Sequence, residues 1–156
     1  MPPAAVDRSP PSPPASPKRR GVLGLAVAAG AAIVAMPLLH DAWSERTTAA
    51  WRVSLDEARA EVDAGRAWLV DIREPSEHAT GVAPGARLVP MRRLAASLPE
   101  LTADPSRPVL LICETQGRSR AVAKALHEQG VTQVRYVQGG MSGWAQRGWP
   151  LVRPAV

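Results

Sequence analysis

Val109-Leu110-Leu111-Ile112-Cys113-Glu114-Thr115-Gln116-Gly117-Arg118-Ser119 is the stretch that decides the fold. Its first four residues are an unbroken apolar run, short enough for a strand and suited to one buried on both faces. A polar loop follows, and then 118–129, where Ala121, Val122, Ala125 and Leu126 recur at helical spacing before Gly130 supplies a stop. Strand, loop and amphipathic helix in that order are half of a βαβ unit.

The flanks repeat the pattern. Upstream, Ser54-Leu55-Asp56-Glu57 fits a capping box, in which a hydroxyl and a carboxylate three residues apart satisfy each other's backbone N–H groups. The helix it opens is expected to run to about Ala64, with Gly65 closing it. Trp68 to Ile72 reads as a second buried strand. Pro84-Gly85 marks a turn before a third strand near Arg87 to Val89. Residues 91–101 are expected to be helical and 104–108 a loop. Downstream, Val134 to Val137 is a fourth strand, Gly139-Gly140 a turn and 141–147 a last helix. Strands alternating with helices predict an α/β fold, a parallel sheet with helices on both faces.

A chain of 156 residues suits one domain of ordinary size. Seven of the sixteen prolines fall within the first seventeen residues, a composition that cannot offset its ordering entropy by burial, so 1–20 is expected to be a disordered, Pro/Ser-rich basic lead. Of the net charge of +5, Asp7, Arg8, Lys18, Arg19 and Arg20 carry +3, leaving 15 basic against 13 acidic residues. With no basic stripe among interleaved aromatics, nucleic acid is not an expected partner. One cysteine and the scattered His40, His78 and His127 draw no zinc-type cluster, and no metal or cofactor is expected. His78 and His127 read as surface residues, and Trp144 and Trp149 as core or rim packing.

Residues 21–39 are nineteen in a row without a charge, directly after Lys18-Arg19-Arg20. Their length lies at the border between a membrane helix and a long export signal. Three readings stand: an uncleaved anchor, a twin-arginine export signal, and a buried helix of the domain, the last opposed by a helix apolar all round. Cations before the segment and Asp41 and Glu45 after it predict that residues 40–156 face outward. The expected site is the periplasmic side of a bacterial inner membrane, anchored, or the soluble periplasm if the segment is cleaved. Residues 40–52 read as a linker or a lead-in to the fold, and 53–156 as the domain.

Chemistry is expected where the best strand ends. In an open α/β sheet, ligands bind at the carboxyl ends of the strands. A loop curling there from strand to helix aims backbone N–H groups and the positive end of the helix dipole at one point. Arg118 adds a permanent charge. Such surroundings suit a Cys113 thiolate that attacks a sulfur donor and then carries the outer sulfur as a persulfide anion. The bland alternative is a buried structural cysteine, against which the polar loop and the arginine opening the helix both weigh.

Cys113-Glu114-Thr115-Gln116-Gly117-Arg118-Ser119 resembles the active-site loop of rhodanese-like domains, a cysteine followed five positions later by Arg and then Ser. Asp71-Ile72-Arg73-Glu74-Pro75-Ser76-Glu77-His78, with Gly81 to Ala86, is similar to the family's first signature. Gly139-Gly140-Met141-Ser142-Gly143-Trp144 and Gly148-Trp149-Pro150 are similar to its closing one. The resemblance covers about 51–152. It implies a rhodanese-type parallel sheet, here preceded by one N-terminal hydrophobic helix, and a sulfurtransferase with Cys113 as nucleophile. It also implies an anion cradle of backbone N–H groups from Glu114, Thr115, Gln116, Gly117, Arg118 and Ser119. Arg118 would close the loop on a loop carboxylate or backbone carbonyl. Ser119 would cap the helix or donate to the sulfur, and Asp71 and Arg73 would form a structural polar pair.

Four residues separate Cys113 from Arg118, where related phosphatase and arsenate-reductase loops have five. Two positions depart from the family pattern: Gln116 stands where a glycine is usual, which would be strained if the position needs φ > 0, and Val82 stands for a common histidine. Efficient thiosulfate enzymes of the family tend to carry cations where this chain has Glu114. A carboxylate beside the nucleophile repels a dianion, so a persulfide or polysulfide donor is expected. The expected partners are thus a small sulfur donor and a thiol or cyanide acceptor, with the protein a monomer. The alternatives are a persulfide carrier for a dedicated protein acceptor and a silent interaction module. A lone domain is expected to leave the site open, which suits a macromolecular acceptor.

Overall fold

In a computed structural model, residues 46–154 are described. Expectations for 1–20, for 21–39 and for the first residues of the 40–52 linker lie outside the described residues. No helix among the described residues is long and apolar enough to cross a membrane.

Five parallel strands form one sheet: β1 (Arg52–Val53), β2 (Trp68–Asp71), β3 (Arg87–Leu88), β4 (Val109–Ile112) and β5 (Val134–Val137), in the order β1-β5-β4-β2-β3. The helices are α1 (Leu55–Asp63), α2 (Pro75–His78), α3 (Met91–Leu101), α4 (Gly117–Glu128) and α5 (Gly140–Gln146). The Ser54 capping box is present, with the Glu57 N–H donating to Ser54 Oγ at 3.2 Å and the Ser54 N–H to the Glu57 carboxylate at 3.1 Å. Gly65 lies just past the end of α1 at φ +71°, a left-handed conformation that favours glycine.

Period-2 alternation divides the core. Leu69, Leu110, Ile112 and Val137 pack under α1 and α5 with Leu55, Ala58, Met141 and Trp144. Val70, Ile72, Val109, Leu111, Cys113, Val134 and Tyr136 pack under α3 and α4 with Leu94, Leu101, Ala123 and Leu126. All four β4 residues are buried, as expected of a strand covered on both sides.

Three local expectations need correction. The fold begins before residue 53: a 3-10 turn at Ala49–Trp51 leads into β1, which pairs with β5, so of the two readings of 40–52 its described part is the lead-in to the fold and not a linker. The buried face of α4 is Ser119, Ala123 and Leu126, whereas Ala121 and Ala125 are exposed. His78 is buried, and His127 stacks on Trp51 with ring centroids 3.9 Å apart while its Nε2 lies 2.7 Å from the Val134 carbonyl. Trp144 is core as expected, its Nε1–H donating to the Pro150 carbonyl at 2.9 Å.

Candidate functional site

From β2 the sheet continues to one side through β3, and from β4 to the other through β5. The carboxyl ends of β2 and β4 therefore flank a topological switch point, the place where open α/β sheets bind ligands. Two loops meet there, one leaving β2 at Ile72 and one leaving β4 at Cys113.

Strand alternation sets the directions of the first two loop residues. The Cys113 side chain lies on the α3/α4 side, and the Glu114 carboxylate goes to the other, where Ser142 Oγ donates to it at 2.7 Å and Arg73 Nη1 at 3.1 Å. The carbonyls of Cys113 and Glu114 accept from the N–H groups of Met141 and Ser142 in α5, at 2.8 and 2.9 Å. A trans peptide points its N–H opposite to its C=O, and no peptide among the described residues is cis. The N–H groups of Glu114 and Thr115 therefore point away from α5, to the side on which the sulfur lies. None of the N–H groups from Glu114 to Arg118 has a protein acceptor among the described residues. The Ser119 N–H donates to Cys113 Sγ at 3.4 Å.

Cys113 is 1% exposed, as a structural cysteine would be. What distinguishes it is this row of donors and Ser119, whose Oγ lies 3.5 Å from Sγ and itself donates to the Gln116 carbonyl at 3.2 Å. Ser119 therefore contacts the sulfur and does not cap the helix. Gln116 has φ −172°, extended backbone open to any residue, so the strain that a positive φ would impose is absent. Gly140 is the glycine the site requires: it has φ +59°, and a Cβ there would come within 2.3 to 2.6 Å of the carbonyl oxygens of Thr115, Cys113 and Glu114.

Arg118 does close the loop, but on a partner that sequence reasoning missed. Its Nη1 and Nη2 donate to both Glu77 oxygens, at 2.8 and 2.5 Å, across 41 residues of sequence. These bonds hold the Glu77 carboxyl down to about 2 and raise Arg118 above its ordinary value. Glu77 also accepts from the Glu74 N–H at 2.9 Å as the capping box of α2, which the spacing Glu74 to Glu77 could have signalled. Asp71 and Arg73 form the expected pair, joined through Nε and Nη2 at 2.8 to 3.1 Å and almost wholly buried. Burial opposes the Arg73 charge, yet Asp71 and then Glu114 outweigh it and raise the guanidinium above its ordinary value. Arg73 Nη2 also donates to the Gly81 carbonyl at 2.8 Å, and His78 Nε2 lies 3.4 Å from Asp71 without hydrogen-bond geometry.

The model of the rhodanese-like domain family matches residues 54–147, more than half of the chain. The chain belongs to the rhodanese-like family. A sulfurtransferase of Allochromatium vinosum is 37% identical over 86 residues, which are 55% of this chain and 78% of that protein. The uncharacterized protein YqhL of Bacillus subtilis is 35% identical over 79 residues, 51% of this chain and 61% of that one. Among solved structures, the thiosulfate sulfurtransferase of Pseudomonas aeruginosa is 29% identical with a TM-score of 0.63, the match covering 72% of this chain and 21% of that one. The human single-domain sulfurtransferase TSTD1 is 26% identical with a TM-score of 0.51, covering 62% of this chain and 96% of that one. The Cys113 loop and the Arg73 and Glu77 segment all fall within the rhodanese-like match.

Proposed function

We propose that the protein is a sulfurtransferase in which Cys113 carries sulfane sulfur. The supporting observation is Sγ seated at the end of β4, with the Ser119 N–H on it and a row of unaccepted loop N–H groups beside it. In the first half-reaction the Cys113 thiolate attacks the outer sulfur of a persulfide. A new S–S bond forms, the donor's S–S bond breaks, and its inner sulfur leaves as a thiolate. In the second half-reaction an acceptor thiolate, or cyanide, takes the outer sulfur and returns the Cys113 thiolate. No net oxidation occurs, and the loop N–H groups stabilise the anion carried between the two steps.

Charge favours a persulfide or polysulfide over thiosulfate as donor. Arg73 and Arg118 face Asp71, Glu77 and Glu114, leaving one net negative charge on the side chains that frame the loop. A dianion meets more repulsion there than a monoanion. The reading is tested by incubating the protein with glutathione persulfide or thiosulfate and weighing it intact. A gain of about 32 Da, one sulfur atom, that cyanide removes and Cys113→Ser abolishes is expected. No adduct from either donor would overturn the assignment. We also propose that residues 21–39 tether the domain to the outer side of a membrane, supported by nineteen uncharged residues after three cations. Recovery of the full-length protein in a soluble cytoplasmic fraction would overturn this.

A further inference from the structure

Gln116 is the residue at which this chain departs from the loop it resembles, and its side chain is engaged. The amide Oε1 accepts from the Gly139 N–H at 3.2 Å, and that N–H has no other acceptor among the described residues. The main-chain carbonyl of the same residue accepts from Ser119 Oγ at 3.2 Å and from the Arg120 N–H at 2.8 Å. Ser119 in turn donates its N–H to Cys113 Sγ at 3.4 Å, and its hydroxyl oxygen accepts from the Cys113 thiol at 3.5 Å. A chain of contacts thus runs from the β5–α5 corner through both ends of Gln116 to the sulfur.

Glycine conformation does not hold this part of the loop. Gln116 needs no positive φ, and a Cβ on the neighbouring Gly117 would meet nothing within 4 Å. The loop's first two carbonyls are fixed by Met141 and Ser142, but beyond Thr115 its only hydrogen bond to the β5–α5 corner among the described residues is that of the Gln116 amide. A glycine at 116 would leave Gly139 without its acceptor and leave the carbonyl on which Ser119 rests held by the Arg120 N–H alone. We infer that Gln116 is a positioning residue for sulfur transfer, its side chain fixing the loop so that Ser119 is held against Cys113. This rests on the sulfurtransferase reading above.

The test compares the full-length protein with Gln116→Ala, Gln116→Gly and Gln116→Glu. Persulfide formation on Cys113 is followed by rapid-quench mass analysis over a range of glutathione persulfide concentrations, and amide exchange at Gly139 is followed by NMR. Loss of one neutral hydrogen bond predicts that the Ala and Gly variants load about five- to tenfold more slowly at saturating donor, with little change in the half-saturating concentration. Gly139 exchange accelerates by a similar factor in both. Gln116→Glu retains an acceptor oxygen, so it should recover the saturating rate and the Gly139 protection while its added charge raises the half-saturating concentration. Saturating rates for Ala and Gly equal to the parent's, or no rescue by Glu in a folded protein, would overturn the inference. If the parent takes up no sulfur at all, it is the functional reading that fails. Positioning is then decided by Gly139 exchange and by the iodoacetamide alkylation rate of Cys113, which must both change in the Ala variant.

Discussion

Gly140→Ala adds one methyl group where the structure has least room for it. The residue sits at φ +59°, and the new Cβ would lie 2.3 Å from the Thr115 oxygen, 2.5 Å from that of Cys113 and 2.6 Å from that of Glu114. Two costs combine. An alanine in the left-handed region costs about 1–2 kcal/mol. Overpacking against backbone that cannot rotate away costs about 1–3 kcal/mol more. The total of about 2–5 kcal/mol corresponds to a fall in Tm of roughly 8–20 °C for a domain of this size. All three crowded oxygens belong to the Cys113 loop, so relief comes from lifting that loop off α5, which also breaks the Met141 and Ser142 bonds to it. Persulfide loading at 20 °C should therefore fall at least about tenfold even where circular dichroism shows the chain folded, a loss equivalent to about 1.4 kcal/mol at the site. Gly117→Ala is the control: it lies in the same loop with open space around its Cβ and should load normally, with Tm within about 2 °C. A Gly140→Ala protein that melts within 3 °C of the parent, by the same scale of about 4 °C per kcal/mol, and loads within twofold would refute the reasoning.

Acid should loosen the Arg118 latch in a defined window. The native Glu77 carboxyl titrates near 2 against an ordinary 4.5, so its contribution is whole above about pH 4.5 and is lost as pH falls toward 2. With side-chain exposures of 30% and 35% on the two partners, screening holds that contribution to about 1 kcal/mol. Urea titrations of Glu77→Gln should show it missing at pH 7 and the gap to the parent closed near pH 2. Arg73→Met strands Asp71, which is 0% exposed, and should cost about 3–5 kcal/mol in chemical denaturation. Glu114→Ala, at a carboxylate 47% exposed, should cost less than about 1 kcal/mol. The same Glu114→Ala protein should gain thiosulfate kcat/KM by a few-fold at low salt and less at 0.5 M salt, where screening is short-ranged; no gain would discard the charge argument for the donor.

The parts legible in the sequence were those written locally. The apolar run at 109–112, the Ser54 capping box and the Gly65 stop each depend on neighbours within a few residues, and each stands in the structure where expected. Long-range pairings carry no such mark. Glu77 meets Arg118 across 41 residues, and nothing near either residue names the other. His78 sits in a polar stretch and reads as surface, yet packs beside the buried Asp71. On α4, alanines populate so many positions that hydrophobicity alone could not choose the inward face; the contact of Ser119 with the sulfur shows which way it turns. β1 is two residues long and begins with an exposed arginine, too short for any alternation to show. At the candidate site, the position of Cys113 at the end of a strand was legible from the apolar run before it, but the crowding at Gly140 follows only from the approach of two chain segments.

Cys113 and the residues that seat its loop are made at different times. Cys113 and its loop leave the ribosome before Gly139, Met141 and Ser142, the residues whose N–H groups fix that loop from beneath. A nascent or truncated chain ending before residue 139 would carry the thiol and Arg118 but not the corner that shapes their surroundings. The corner that seats the Cys113 loop therefore arrives with the closing helix, and an unfinished chain exposes an ordinary cysteine.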